Sequence, residues 1–210
     1  LIPKSLTEKT LIALKKYAIF SKISLIIDTD PSLYACHDVA DKSLFPNDSK
    51  IIKLPEPLSY YAVITDKSFK TGIPIASETA WQDYLIHQKC PEISTAISEK
   101  FLPAELGLES SAIAFDKGCF VGQEGIARMK YLGKTKKSLH LVLLSNIEAS
   151  QTVVNSGEKI IDDTGKSVGE IVNFSLDKQV ALAIILNAKL DVKRGSNHWQ
   201  TTSGIKLVCI

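Results

Sequence analysis

Apolar and polar positions change rhythm along this chain. Ser5-Leu6-Thr7-Glu8 reads as a capping box, in which hydroxyl and carboxylate satisfy free amides reciprocally. Leu6, Leu14, Tyr17 and Ala18 then fall near helical spacing, which predicts a helix over about 6–18. Ile23–Ile27 is rich in β-branched residues and stops at Asp28-Thr29-Asp30-Pro31, a strand running into a turn. Tyr60–Thr65 and Ile73–Ala76 read as two more strands around Asp66–Gly72. Glu78–Gln88 reads as a helix, with Trp81, Tyr84, Leu85 and Gln88 on one side. Pro91–Ser111 reads mostly as loop, broken by short helical turns.

From Leu139 onward apolar and polar residues alternate. Turn signals recur at Asn155-Ser156-Gly157, Asp162-Asp163-Thr164-Gly165, Asp177-Lys178 and Arg194-Gly195-Ser196. Short strands at such spacing form a small barrel or sandwich. The chain therefore divides into a mixed unit, 1–136, and an all-β unit, 137–210. The polar, basic Gly133-Lys134-Thr135-Lys136-Lys137 joins them. The fold class is α+β.

Composition narrows the function classes. A formal net charge of +2 is too small to imply nucleic-acid binding by itself. The longest apolar runs, such as Val180–Leu186, are far short of a membrane span, so no membrane partner is expected. Cys36, Cys90, Cys119 and Cys209 are scattered with no C-x-x-C pair, against both a zinc site and a disulfide framework. His37, His140 and His198 lack ligand-like spacing. A reducing cytoplasm, or a mitochondrial matrix, suits free thiols.

The stretch with most chemical content is Lys117-Gly118-Cys119-Phe120-Val121-Gly122-Gln123-Glu124, followed by Ala127-Arg128-Met129-Lys130. A Cys between a Lys-Gly step and a helix beginning near Gly122 stands where positive potential favours thiolate, a nucleophile or metal ligand. The same Cys also reads as a small buried hydrophobe at a glycine-rich turn. Lys117, Arg128, Lys130, Lys134, Lys136 and Lys137 face one acid, Glu124, between 117 and 137. That excess suits a folate's glutamate tail, an acidic protein or RNA phosphate, or is a solvated face. Only Phe120 and Tyr131 accompany it, which argues against direct RNA binding by base stacking.

The Lys117–Glu124 stretch resembles the K-G-C-[FY]-x-G-Q-E signature of the YgfZ family, relatives of the glycine-cleavage T-protein. Leu102-Pro103-Ala104-Glu105, Ala114-Phe115-Asp116 and Gly165–Ile171 with Ala181-Leu182-Ala183 extend the likeness. The resemblance implies a T-protein-like folate-binding domain, its first part lying before this sequence, and a C-terminal β-barrel. It implies tetrahydrofolate, or a one-carbon-substituted folate, as ligand. It also implies a role in assembly or repair of iron–sulfur proteins, linked to tRNA modification. Carried onto this chain, Cys119, Lys117, Gln123 and Glu124 are the reactive set, and Trp81, Glu105 and Arg128 the folate-binding candidates. Trp81 reads equally as a core anchor with Tyr84. One departure stands out: His87 occupies the place, four residues before Pro91, where the T-protein branch has a Glu suited to the pterin's amino groups. The alternative activity is tetrahydrofolate-dependent aminomethyl or methyl transfer, which needs a general base and has no inherent need of a thiol.

Overall fold

A computed structural model of the chain describes residues 2–29, 31–37, 42–54, 60–65, 74–93, 97, 99–146, 154–175, 177–190 and 199–210. The chain forms two compact units, Leu1–Ile75 with Ile93–Thr95, and Ala76–Glu92 with Ala96–Ile210.

In the first unit, helix α1 (Thr7–Ala18) is followed by strands β1 (Ser32–His37), β2 (Lys50–Lys53) and β3 (Tyr60–Thr65). The sheet order is β1-β3-β2, antiparallel throughout, and Val63 stands opposite both Tyr34 and Ile51. β3 is central, and Ala62, Val63 and Thr65 are its buried positions. Phe45 is buried too, its ring 6.1 Å from that of Tyr61.

The second unit is built on a closed six-stranded barrel. Its strands are β4 (Lys137–Ser145), β5 (Lys159–Ile161), β6 (Ser167–Ser175), β7 (Val180–Leu186), β8 (Trp199–Thr201) and β9 (Lys206–Cys209). Their order is β4-β7-β6-β5-β8-β9, and β9 pairs back onto β4. Val142, Leu144, Val168, Ala181, Ala183, Ile185, Trp199 and Leu207 belong to one apolar cluster. On β7, Leu182 and Ile184 alternate with those inward residues, yet they too are fully buried. Their cover is helix α2 (Glu78–His87), which packs against β6 and β7. Burying each such side chain stabilises by about 1.5–3 kcal/mol. That cover explains why 76–92 groups with the barrel rather than with the residues before it.

Polar contacts hold the cover in place. Glu170 of β6 is buried, with Lys100 Nζ and Lys159 Nζ each 2.6 Å from its carboxylate. Burial works against its charge, but the two lysines outweigh that and hold the carboxyl below its ordinary 4.5. The Glu92 amide donates to Asn173 Oδ1 at 2.9 Å, tying the stretch after α2 to β6. Gly169 packs so closely on β7 that a Cβ there would overlap the Ile184 carbonyl oxygen.

The helices over 6–18 and 78–88, the strand 60–65 and the barrel are as the sequence predicts; other elements differ. Ser5 lies in a 3₁₀ turn (Lys4–Leu6), the N-cap of α1 is Leu6 without a side-chain bond, and Thr7 Oγ1 instead donates to the Pro3 carbonyl at 3.3 Å. The capping box does not form because the chain enters α1 already helically wound. Ile23–Ile27 is not a strand: it has no ladder partner among the described residues, and Ile23, Ile26 and Ile27 are exposed. Residues 74–76 are not a strand either. On α2, Ile86 is the buried residue, while Trp81, Tyr84, Leu85 and Gln88 are half-buried. The expected turns at Asp66–Gly72 and Arg194-Gly195-Ser196, and His198, lie outside the described residues.

One end of the barrel carries a half-buried histidine. His140 Nε2 and Ser138 Oγ are 2.8 Å apart, and Ser138 Oγ donates to Asn187 Oδ1. Burial first, and Lys89 second, lower the His140 pKa from its ordinary 6.5. The folded state then binds fewer protons than the unfolded chain below pH 6.5, so stability is full above that pH and falls as pH drops towards the folded value. Thermal or urea unfolding from pH 7.5 to 5 should show this fall, with a slope of at most about 1.4 kcal/mol per pH unit for one proton. His140→Gln should flatten it. An equal slope in the variant would assign the fall to other groups.

Candidate functional site

The site grows from a tight turn. The backbone at Gly122 is left-handed, φ 86°, a conformation that costs other residues about 1–2 kcal/mol. This glycine is the N-cap of helix α4 (Gln123–Leu132), after the four-residue α3 (Glu109–Ala112). The Gln123 amide donates to the Phe120 carbonyl at 3.1 Å, and the Phe120 amide donates to Gln123 Oε1 at 3.4 Å. Gln123 therefore braces the turn with both backbone and side chain. Cys119 sits just before this brace and is exposed. A Cβ added at Gly118 or Gly122 would meet nothing within 4 Å, so the backbone on either side of Cys119 is open.

Aromatic rings fix the surroundings. Lys117 Nζ lies over the Phe120 ring, 4.7 Å from its centroid. The ammonium placed beside the thiol on sequence grounds is thus seated on an aromatic face, a favourable cation–π contact. Phe115 meets Tyr131 edge-on at 6.4 Å, and Lys130 Nζ stands 3.5 Å from the Phe115 centroid. These contacts hold α4 against the segment leading into the Cys119 turn. Phe115 and Tyr131 were not among the expected site residues. Their signal was the Lys130-Tyr131 pair, whose packing onto Phe115 depends on how the chain doubles back.

Lys117, Cys119, Gln123, Glu124 and Arg128 share one loop and helix, with Cys119, Glu124 and Arg128 exposed. Trp81 stands elsewhere, on α2, half-buried and stacked on Tyr84 with centroids 5.3 Å apart and planes 20° from parallel. Glu105 is half-buried, and its Oε2 accepts from the Leu102 amide at 3.0 Å, closing the turn at 102–105. His87 Nδ1 lies 2.8 Å from the Asp83 carbonyl, one helical turn back on α2. The other cysteines differ from Cys119 in kind. Cys36, Cys90 and Cys209 are half-buried, and burial pushes each thiol above its ordinary value. Among the described residues no three His, Cys, Asp or Glu side chains converge as a metal site. No helix among them is long and apolar enough to cross a membrane.

No protein-family model matches the chain. It is similar to the tRNA-modifying protein YgfZ of Aliivibrio fischeri, 28% identical over 205 residues, covering 88% of this chain and 64% of that protein. Its similarity to the tRNA-modifying protein YgfZ of Colwellia psychrerythraea is 28% over 193 residues, 81% of this chain and 59% of that protein. The chain thus spans about three-fifths of the length of these relatives. A solved structure of the glycine cleavage system aminomethyltransferase T from Bartonella henselae aligns over 72% of this chain and 45% of its own, with 13% identity and a TM-score of 0.43.

Exposure should rank the four thiols. In the native protein at neutral pH, Cys119 should alkylate first, about tenfold or more ahead of Cys36, Cys90 and Cys209, whose thiolate fractions burial suppresses. Site-resolved mass spectrometry after timed iodoacetamide treatment measures this. Cys119 reacting last, or only in denaturant, would contradict the placement.

Proposed function

We propose that this relative of the YgfZ proteins is a folate-binding accessory to the assembly or repair of iron–sulfur proteins, with Cys119 as its working residue. The observation that carries the reading is the contrast among the thiols. Cys119 alone is exposed, on a turn braced by Gln123 and opened by Gly118 and Gly122, while the other three are half-buried. An accessible thiol can serve as a soft ligand to iron or exchange sulfur with a client. A cluster needs about four ligands, and no metal-holding group forms among the described residues, so a cluster met by Cys119 takes its other ligands from a client or from residues outside those described. The relatives' name, tRNA-modifying protein, fits service to iron–sulfur enzymes that modify tRNA.

Tetrahydrofolate fits the described residues in one respect. The Trp81 indole, half-buried and backed by Tyr84, is a flat surface suited to a pterin, and Arg128 is exposed for an anionic tail. When bound, folate supplies a carrier for one-carbon units. The carboxylate half of pterin recognition is less well met. Glu105 is bonded to the Leu102 amide, and His87 stands near the Asp83 carbonyl. For the same reason aminomethyl transfer is the less supported reading, since it requires a base aimed at the folate.

In cells lacking the protein, iron–sulfur enzyme activity should fall, and the native gene should restore it. Cys119→Ser should leave it at the deletion level despite normal abundance, because a hydroxyl is a far poorer nucleophile and soft ligand. Full rescue by Cys119→Ser would overturn the reading and promote the transferase.

The folate half has its own check. Tetrahydrofolate should quench indole emission, and Trp81→Phe should abolish the quench and weaken binding about three- to tenfold, the worth of one aromatic contact. Trp199, buried in the barrel, serves as internal reference. An unchanged quench in Trp81→Phe would return Trp81 to a packing role.

A further inference from the structure

The net positive charge of this protein comes from the stretch that contains Cys119. Between 115 and 137 stand Lys117, Arg128, Lys130, Lys134, Lys136 and Lys137 against Asp116 and Glu124, whereas the whole chain carries only +2. The rest of the molecule is therefore net negative. Lys117, Arg128, Lys130, Lys134 and Lys136 are all exposed. Among them lie two large apolar or aromatic side chains with nothing packed over most of their surface, Val121 at 81% exposure and Tyr131 at 68%. Apolar anchors within a charged rim are the anatomy of a protein-binding face.

We infer that this face, Lys117 to Lys136, docks a protein that presents carboxylates around an apolar contact. Two kinds of partner share the required negative charge, and the rings distinguish them. A nucleic acid would use aromatic faces for base stacking. Here Lys117 covers Phe120 and Lys130 covers Phe115, which leaves Tyr131, packed against Phe115 on one side, as a lone exposed ring in this stretch, too few for a run of stacked bases. Val121, next to the turn glycine and one residue from Phe120, gives a base no platform but gives an apolar side chain a contact. The open backbone at Gly118, Gly122 and Gly125 admits a partner's side chains beside the thiol. Charge would guide the encounter, and Val121 with Tyr131 would hold it. Identifying the partner as a client of the Cys119 site rests on the function proposed above; the docking surface itself does not.

Fluorescence anisotropy with four labelled probes tests the inference: a short alternating Glu–Leu peptide, an all-Glu peptide of equal length, a Ser–Leu peptide and an oligouridylate. The Glu–Leu peptide should bind most tightly, with affinity falling as salt rises. Arg128→Glu with Lys134→Glu should weaken it at least about tenfold. Val121→Ser should weaken it about fivefold, the worth of one small apolar contact. Both variants should keep the native unfolding temperature, since all three side chains are exposed. Equal binding of the all-Glu peptide would remove the apolar anchor and overturn the inference. Tighter binding of the oligouridylate would overturn it in favour of RNA, and failure of all four probes would leave a solvated face. Cys119→Ser should leave Glu–Leu binding intact. A docking failure accompanied by failed rescue from Cys119→Ser therefore refutes the surface alone, and intact docking with full rescue refutes the thiol's role alone.

Discussion

Strand β4 is paired along both edges, with β7 on one side and β9 on the other, and that double pairing closes the barrel. An open sheet of these strands would leave backbone donors and acceptors of β4 and β9 unmet and their inward side chains wet. Closure removes both costs. It draws Lys206–Cys209 onto a strand that begins at Lys137. β9 is thus needed before the interior cluster, with Val142, Leu144 and Leu207, can exist.

The closed barrel then serves as a foundation. Its β6–β7 outer face is apolar enough to require a cover, and α2 supplies it. Glu170 answers the polar side of the same problem, since a buried carboxylate between Lys100 and Lys159 is stable only while both partners stay in place. Trp81 owes its position to this arrangement, because it rides on the covering helix. There it is half-buried and stacked on Tyr84.

The Cys119 turn is organised on a different principle. Little of it is buried, and its shape comes from local geometry: the left-handed Gly122, the reciprocal bonds between Phe120 and Gln123, and lysines seated on aromatic rings. Such a turn can hold a thiol in the open while the backbone stays defined. Burial raises the thiol pKa at Cys36, Cys90 and Cys209, and the turn leaves Cys119 outside such burial.

What the amino-acid sequence determines alone is what local physics decides. Alternation and turn residues foretell the barrel after Leu139. The helical spacings foretell α1 and α2, and the glycine pattern around Cys119 foretells a sharp turn into a helix. Tertiary structure decided the rest. Ile23–Ile27 has strand propensity but pairs with no strand among the described residues, while Ser32–His37 and the two-isoleucine Lys50–Lys53 became strands because β3 lay between them. Ser5 had the composition of a cap and was already wound into the helix entrance. Lys117 was legible as a charge near a thiol, but its seat on Phe120 depends on the path of the turn. Strand pairing and side-chain seating are contacts between separate stretches of chain, so propensity can nominate their members and only the folded backbone can match them.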